Sequence, residues 1–205
     1  MTPLSPDLFA RLDESPDDLF YATPRFVTHI DDGAIAAVTQ IYREYFPPGG
    51  AILDLMSSWI SHLPPEIAYG HVVALGMNQE ELAANPRATE WVVQDLNQDP
   101  RLPFVDGRFD GAAICVSVDY LTRPIEVFRE CARVLQRGAP LVITFSNRCF
   151  PTKVIAAWRM LDDDGHLQLV ARYFAEASGW TDIEILDRSP ERDGDPLYAV
   201  IARVL

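Results

Sequence analysis

Two aspartates follow apolar segments, in positions where a carboxylate could bind a ligand. Asp54 lies in the run Ala51–Leu55, and Asp95 follows the run Trp91–Gln94. Short apolar runs bounded by turn residues are typical of buried parallel strands. The carboxyl ends of such strands meet at one edge of the sheet, where α/β proteins bind ligands. We therefore expect both carboxylates at a ligand-binding edge, although Asp54 could instead cap the next helix.

A second polar cluster lies near the N-terminus, in the segment "YATPRFVTHI". Arg25 could bind the carboxylate of either a cofactor or a substrate with two parallel hydrogen bonds. Tyr21 and Phe26 could close a pocket, although packing between helices is the more ordinary use of such rings. His29 is the one histidine that we consider as a base, although a lone histidine more often has a structural role. The four histidines form no HxxxH or HxH pair, and the three cysteines show no paired spacing. We predict no metal site.

The order of apolar runs predicts how these residues are positioned. After Gly49, strand-like and helix-like segments alternate, which is typical of a parallel sheet covered by helices on both faces. The predicted strands are Ala51–Leu55, His71–Leu75, Trp91–Gln94, Phe109–Val116, Pro140–Ser146, Asp182–Asp187 and Leu197–Val204. The last two flank the turn-rich segment Ser189–Pro196, which favours an antiparallel return.

Helical periodicity predicts the remaining elements. The segments are Pro6–Phe20, Asp31–Phe46, Ser58–Leu63, Gln79–Ala84, Pro124–Gln136, Pro151–Leu161 and Gly165–Ser178. We expect one domain over residues 1–205, in which residues 1–48 form a helical cap and residues 49–205 form the α/β core.

Composition excludes several classes of function. The chain has 205 residues and a formal net charge of −13, with 17 basic residues scattered along it. Nucleic acids are bound through Lys and Arg, so we expect no nucleic-acid partner. No apolar run is long enough to span a membrane, and the N-terminus lacks the order of a signal peptide. We therefore expect a cytoplasmic protein without a membrane partner.

Four stretches together resemble the class I S-adenosylmethionine-dependent methyltransferases, in particular their small-molecule, type 11-like branch. "AILDL" resembles the first motif of that family, and "HVVALGMN" resembles its second strand and turn. "VVQDLNQDPRLPFVDGRFDGAAICVSVDYLTRP" resembles the third and fourth strands, and "FRECARVLQRGAPLVITFSN" the following helix, turn and strand. The resemblance covers about Ala51 to Asn147 and implies a Rossmann-like three-layer sandwich. Its sheet would be mostly parallel and seven-stranded, with an antiparallel C-terminal strand.

The resemblance implies a cofactor, S-adenosylmethionine, and a small-molecule methyl acceptor. Asp54 would face the ammonium of the methionine portion, and Asp95 would accept from the adenine amino group. The implied cofactor-binding residues are Asp54, Ser57, Gly76, Met77, Asn78, Asp95, Leu96, Val116 and Ser117. The expected substrate residues are Tyr21, Arg25, Asp119 and Tyr120, with His29 as a weak candidate for a base. We also expect Phe150 and Trp158 in an apolar pocket wall; if Trp59 lined it too, an apolar or aromatic acceptor would be favoured.

The chain departs from the family in two places. The first turn holds Met56, Ser57, Ser58 and Trp59 where the family has glycines, and Asn78 replaces the acid that binds the ribose. Asn78 could instead start the helix that follows it, and Trp59 could pack away from the crevice. Three functions therefore stay open: a methyltransferase, a non-catalytic relative that binds the cofactor or a protein partner, and a dinucleotide-dependent oxidoreductase. The last requires a GxGxxG turn, which "DLMSSWISHLP" lacks.

Overall fold

A mixed seven-stranded sheet forms the centre of the protein. The computed structural model describes residues 4–190 and 194–205. Within them the strands are β1 (Ala51–Leu55), β2 (His71–Gly76), β3 (Glu90–Val93), β4 (Gly111–Cys115), β5 (Pro140–Phe145), β6 (Trp180–Asp187) and β7 (Tyr198–Val204). Their order across the sheet is β3-β2-β1-β4-β5-β7-β6. The order reverses between β1 and β4, which is the topological switch point where α/β sheets bind ligands.

The strand directions confirm the predicted fold class. Strands β1 to β5 pair in parallel, and β7 pairs antiparallel with both β5 and β6. The predicted antiparallel return of the last two strands is therefore confirmed. Residues 191–193 of the connecting turn lie outside the described residues.

Helices cover both faces of the sheet. The α-helices are α1 (Asp17–Phe20), α2 (Asp32–Tyr45), α3 (Gln79–Ala84), α4 (Pro124–Val134), α5 (Ala156–Met160) and α6 (Asp163–Ala177), with 3₁₀ turns at Pro6–Phe9 and Val118–Tyr120. Because side chains alternate along a strand, Ile52 packs in the cluster with α2, and Leu53 packs in the cluster with α4 and α6. These two clusters are the two interfaces of a three-layer sandwich.

The predicted helix Pro6–Phe20 is wrong. A 3₁₀ turn and the short helix α1 occupy its ends, and the residues between them form local side-chain bonds instead of a helical ladder. The backbone N–H of Arg11 donates to Glu14 at 2.6 Å, and that of Ser15 donates to Asp13 at 2.9 Å. Such local bonds compete with helix formation, and Pro16 removes one backbone donor.

The predicted helix Ser58–Leu63 is also wrong, because this segment is a loop. Its side chains bond across the protein, and His62 has a left-handed backbone with φ 52°. Two prolines follow at Pro64 and Pro65, and a proline disfavours helical backbone angles in the residue before it. The helix predicted at Pro151–Leu161 begins only at Ala156.

The division of the chain into a cap and a core stays a prediction, as does the cytoplasmic location. The helix α2 packs directly on the sheet as part of one layer. Among the described residues, no helix combines the length and apolar character that a membrane crossing requires. The same residues contain no group of three or more His, Cys, Asp or Glu side chains arranged to hold a metal ion.

Candidate functional site

A cavity of about 320 Å³ opens at the carboxyl ends of the parallel strands. The ends of β1, β2 and β4 and the loop after β3 form its floor and sides. The N-terminal segment 11–30, which we term the strap, lies across it and contributes Tyr21, Arg25 and His29. A cavity at the switch point of such a sheet is the expected ligand site.

The predicted cofactor and substrate residues and the candidate base converge on this cavity, with one exception, whereas Phe26, which was expected to close the pocket, does not line it. All nine predicted cofactor residues line it: Asp54, Ser57, Gly76, Met77, Asn78, Asp95, Leu96, Val116 and Ser117. Of the predicted substrate residues and the candidate base, Tyr21, Arg25, Tyr120 and His29 also line it. Asp119 does not. Lining the cavity makes a contact with a ligand possible, and the individual roles stay proposals.

Asp54 is a buried carboxylate with little compensation inside the protein. It is 5% exposed and accepts a hydrogen bond from Ser57 Oγ at 2.6 Å. Burial raises the pKa of Asp54 to about 6, although the hydroxyl groups of Ser57 and Ser61 oppose this shift. The carboxylate is therefore suited to a cationic ligand, which would offset the cost of burying its charge.

The first turn keeps a glycine-like backbone without glycine. Met56 has φ 53°, in the left-handed region that favours glycine. The backbone N–H of Ser57 then donates to the carbonyl of Leu75 at 2.8 Å, so the turn packs on the end of β2. A Cβ at Gly76 would lie 2.2 Å from the carbonyl oxygen of Ser57. Gly76, at the end of β2, is therefore the glycine that lets the turn at Ser57 approach the sheet.

The two other unusual residues of this turn face different ways. Ser58 lines the cavity, and its Oγ donates to Glu81 at 2.6 Å. Trp59 does not line the cavity; its ring nitrogen donates to the carbonyl of Val27 in the strap at 3.0 Å. Trp59 thus packs away from the crevice, which is one of the two positions that the sequence left open.

Asn78 uses its whole side-chain amide within the protein. Its oxygen accepts from the backbone N–H groups of Glu80 and Glu81, which caps helix α3. Its nitrogen donates to the carbonyls of Tyr21 at 2.9 Å and Ala22 at 3.2 Å. The alternative expectation, that Asn78 starts a helix, is therefore confirmed, and the same side chain fastens the strap.

Among the described residues, one oxygen of Asp95 has no hydrogen-bond partner and is available for a ligand. Its Oδ1 accepts from the backbone N–H groups of Asn97 at 2.8 Å and Gln98 at 3.3 Å, which fixes the loop after β3. Asn97 then donates to Asp17 of the strap at 3.0 Å. The loop and the strap are thereby connected around the cavity.

The end of β4 forms the floor. Val116 has φ 43°, and the Ser117 hydroxyl is buried without a hydrogen-bond partner among the described residues. Buried polar groups in folded proteins are usually satisfied, so this hydroxyl is available to a ligand. Burial raises the pKa of the neighbouring Cys115 thiol to about 11, so the thiol is protonated at neutral pH.

The expectation that Asp119 faces a substrate is wrong. Its side chain is 2% exposed, lies outside the cavity lining, and leaves Oδ2 without a partner in the described part of the chain. Burial raises its pKa to about 8. The 3₁₀ turn Val118–Tyr120 directs Tyr120 to the cavity instead, where its hydroxyl accepts from the backbone N–H of Phe150 at 2.7 Å.

Two histidines line the strap side of the cavity. Burial lowers the pKa of His29, and it lowers the pKa of His62 to about 4. His29 nevertheless has an exposed surface at the mouth, whereas Nδ1 of His62 is buried without a partner among the described residues. Both imidazoles are therefore neutral at pH 7 and could accept a hydrogen bond or a proton.

Aromatic rings surround the Arg25 side chain. Its guanidinium carbon lies 4.6 Å from the ring centre of Phe20, 5.5 Å from that of Phe150 and 5.7 Å from that of Tyr21. The expected place of Phe150 in the wall agrees with the cavity lining. Trp158 was wrongly expected there, because it stacks on His166 in the core at 4.0 Å between ring centres.

Several lining residues were not predicted from the sequence. They are Asp17, Ser61, His62, Glu81, Gln94, Asn97, Arg148 and Cys149 among others. Most of them come from loops, from the strap or from a helix start, where no spacing rule indicates a site. Glu81 had one sequence signal, since it lies three residues after Asn78, one turn into the helix.

Comparison with known proteins agrees with this geometry. Residues 57–143 match the family model described as a methyltransferase domain. A segment of 77 residues, 38% of the chain, is 30% identical to the biotin biosynthesis bifunctional protein BioHC of Teredinibacter turnerae. The match covers 13% of that much longer relative.

Two solved structures share the fold over most of the chain. The 4+2 cyclase SpnF has a TM-score of 0.63 at 16% identity, over 91% of this chain and 90% of that chain. An S-adenosylmethionine-dependent methyltransferase from Mesorhizobium loti has a TM-score of 0.56 at 18% identity, over 82% of this chain and 98% of that chain. The chain thus has the fold of the class I S-adenosylmethionine-dependent methyltransferases, and its residues 57–143 match a methyltransferase domain.

Proposed function

We propose that the protein binds S-adenosylmethionine in this cavity and transfers its methyl group to a small organic acceptor. One observation carries the proposal: Asp54, Asp95 and Ser117, which follow or end three different strands, line a single cavity at the switch point of the sheet. The family match and the Mesorhizobium loti neighbour, which is named for this cofactor, support the choice of ligand.

Three groups of the cavity fit the cofactor. Asp54 would accept from the ammonium of the methionine portion, which would offset its buried charge. The second oxygen of Asp95 would accept from the adenine amino group, with Leu96 beside the ring. The unpartnered hydroxyl of Ser117 would face the centre of the cavity, near the reacting methyl.

Asn78 does not fit the ribose role in this arrangement. Its amide is engaged on both sides, by the start of α3 and by the strap. Glu81 lines the same side and accepts from Ser58 at 2.6 Å and from the backbone N–H of Arg25 at 2.7 Å. A carboxylate accepts about four hydrogen bonds, so we assign the ribose hydroxyls to Glu81.

The protein has little chemistry to supply beyond alignment. When bound, the cofactor supplies a methyl group that its sulfonium already activates. The residues of the chain hold donor and acceptor in line and keep water out, which together lower the barrier. The strap would keep water out of the cavity. The neutral imidazole of His29 would take a proton from an acceptor that must lose one.

A binding titration followed by a turnover assay tests the proposal. Calorimetry with S-adenosylmethionine and S-adenosylhomocysteine should show micromolar binding to the wild type, weakened about tenfold or more in Asp54→Asn and Asp95→Ala. Asp164→Ala is the control, because Asp164 is exposed and does not line the cavity. Turnover is then measured as S-adenosylhomocysteine released with a pool of small acceptors, and absence of binding to a folded wild type rejects the proposal.

A non-catalytic role is the second candidate. The engagement of Asn78 by the strap and the similarity to a protein named a cyclase both favour it, because one fold can carry several functions. Micromolar binding of the cofactor, with no S-adenosylhomocysteine formed from any acceptor of the pool, would support this candidate over methyl transfer.

A further inference from the structure

The acids on the strap side of the cavity are already engaged by groups of the protein. Asp17 accepts from Arg11 at 2.8 Å, from Asn97 at 3.0 Å, and pairs with Lys153 at 3.1 Å. Burial opposes ionisation of Asp17, but these hydrogen bonds outweigh it, and its pKa is lowered. Both oxygens of Glu81 accept hydrogen bonds as well. In the part of the chain that the structure describes, neither carboxylate forms an ion pair with the guanidinium of Arg25.

Arg25, by contrast, has an unused donor. Its Nη2 donates to the backbone oxygen of Phe20 at 2.8 Å, which fixes the guanidinium in place. Its Nη1 is buried and has no hydrogen-bond partner among the described residues. No carboxylate oxygen of that part of the chain pairs with Arg25, although the chain has 30 acidic residues.

Arg148 supplies a second guanidinium at the mouth of the same cavity. Its Nε donates to Asp195 at 2.7 Å, and 64% of its side chain is exposed. Within the described residues its two terminal nitrogens donate no hydrogen bond. Arg25 and Arg148 both line the cavity, and so does Phe150, whose ring packs on Tyr120 at 5.7 Å between ring centres.

We propose that Arg25, assisted by Arg148, binds the carboxylate of the methyl acceptor, so the acceptor is a small organic acid. This inference rests on the proposed function, because it names the substrate class of the same site. A guanidinium whose position is fixed by a backbone hydrogen bond and by neighbouring aromatic rings is preorganised for two parallel hydrogen bonds to a carboxylate. The rings of Phe150 and Tyr120, which are tilted by 33° to one another, provide an apolar surface for the rest of the molecule.

The overall charge of the protein does not assist this binding. The net charge of −13 repels anions at long range, so any affinity for an acid must come from the local guanidinium groups. Exposed charges further away than about 8 Å are largely screened at physiological salt. The guanidinium groups of Arg25 and Arg148 therefore determine the affinity for an anion at this site. A carboxylate has two possible sources here, the acceptor and the methionine portion of the cofactor.

The test uses benzoate and its neutral amide, benzamide, as probes of the full-length protein saturated with S-adenosylhomocysteine. The wild type should bind benzoate and not benzamide. Arg25→Gln should weaken benzoate about tenfold or more, which is about 1.4 kcal/mol. Arg25→Lys, which keeps the charge but loses the fork, should fall between them. The exposed Arg137, outside the cavity, gives the control Arg137→Gln.

Separate arms distinguish the two sources of the carboxylate. S-adenosylhomocysteine has an amino-acid portion, and 5′-methylthioadenosine lacks it. If Arg25→Gln weakens S-adenosylhomocysteine alone and leaves 5′-methylthioadenosine and benzoate unchanged, Arg25 binds the cofactor and the proposal is wrong. A wild type that binds benzoate no better than benzamide also overturns it.

Two further measurements cover a variant that does not fold and a wild type that does not bind the cofactor product. If Arg25→Gln does not fold, Arg148→Gln replaces it, because Arg148 is exposed. We expect this variant to lower the affinity for benzoate at least about threefold, or about 0.7 kcal/mol. An unchanged affinity would overturn the proposal. If S-adenosylhomocysteine does not bind the wild type, the proposed function fails, and benzoate titrated into the protein alone decides the arginine site separately.

Discussion

Replacing Asp54 with the isosteric asparagine should make the free protein more stable at neutral pH and at the same time weaken cofactor binding. The pKa of Asp54 is raised by burial from 3.8 to about 6. Each unit of pKa shift corresponds to about 1.4 kcal/mol. The ionised carboxylate therefore costs about 3 kcal/mol of folding free energy above pH 6, and we expect the variant to recover about 1–3 kcal/mol of this.

The effect should depend on pH with a definite sign. The pKa of Asp54 is higher in the folded state, so the folded protein binds more protons between pH 3.8 and about 6. The free energy of unfolding therefore falls as the pH rises through this window. Below pH 3.8 the carboxyl group is neutral in both states, and wild type and variant should be equally stable.

The difference in unfolding free energy is measured by urea unfolding of both proteins at several pH values between about 4 and 8. The contributions of the other titratable groups cancel in this difference because both proteins share them. A difference in unfolding free energy that does not change with pH would refute the reasoning, as would a variant less stable than the wild type at pH 8. The stabilised variant should bind S-adenosylhomocysteine about tenfold or more weakly, because an amide cannot offset an ammonium charge.

Three further predictions follow from the same cavity. Gly76→Ala places a Cβ 2.2 Å from the carbonyl of Ser57; unfolding in urea should show a loss of about 1–3 kcal/mol, and unchanged stability would contradict the close packing of the turn. Asn78→Ala removes the cap of α3 and two hydrogen bonds to the strap. We expect the unfolding free energy to fall by about 1 kcal/mol and proteolysis of residues 11–30 to become faster. A cleavage rate equal to that of the wild type would contradict the role of Asn78 in fastening the strap. Affinity for S-adenosylhomocysteine should fall about tenfold per pH unit below the Asp54 pKa of about 6; calorimetry showing no dependence on pH would exclude Asp54 as the ammonium ligand.

The positions of the strands along the chain were predictable because buried parallel strands are short apolar segments of the sequence. Runs such as Ala51–Leu55 and Pro140–Phe145 are mostly apolar and are buried on both faces, since both faces are covered by helices. Their ends were predicted within a few residues. The same reasoning placed Asp54 and Asp95 at one edge, and both line the cavity.

The loops were not predictable from periodicity. The segment Ser58–Leu63 has a helical pattern, but long-range bonds fix it as a loop, for example from Asn85 Nδ2 to Ser61 Oγ at 2.8 Å. The strap likewise depends on Lys153, which is fully buried and pairs with Asp13 at 3.3 Å and Asp17 at 3.1 Å. No local pattern indicates that a lysine 138 positions further on anchors Ser15.

Asp119 shows the same limit within the site. Its position after the fourth strand predicted contact with a substrate, whereas the tight turn Val118–Tyr120 buries it and presents Tyr120 to the cavity. A shift of one residue in a turn changes which side chain faces the ligand. Sequence position therefore gave both Asp119 and Tyr120 as candidates, and the backbone geometry of the turn leaves only Tyr120 at the cavity.

A crystal structure of the protein grown with S-adenosylhomocysteine tests the central claim most directly. The account predicts the ligand in the cavity between β1 and β4, with its ammonium within hydrogen-bond distance of Asp54 and its adenine amino group beside Asp95. A ligand bound elsewhere, or a cavity that stays empty at saturating ligand, would contradict it.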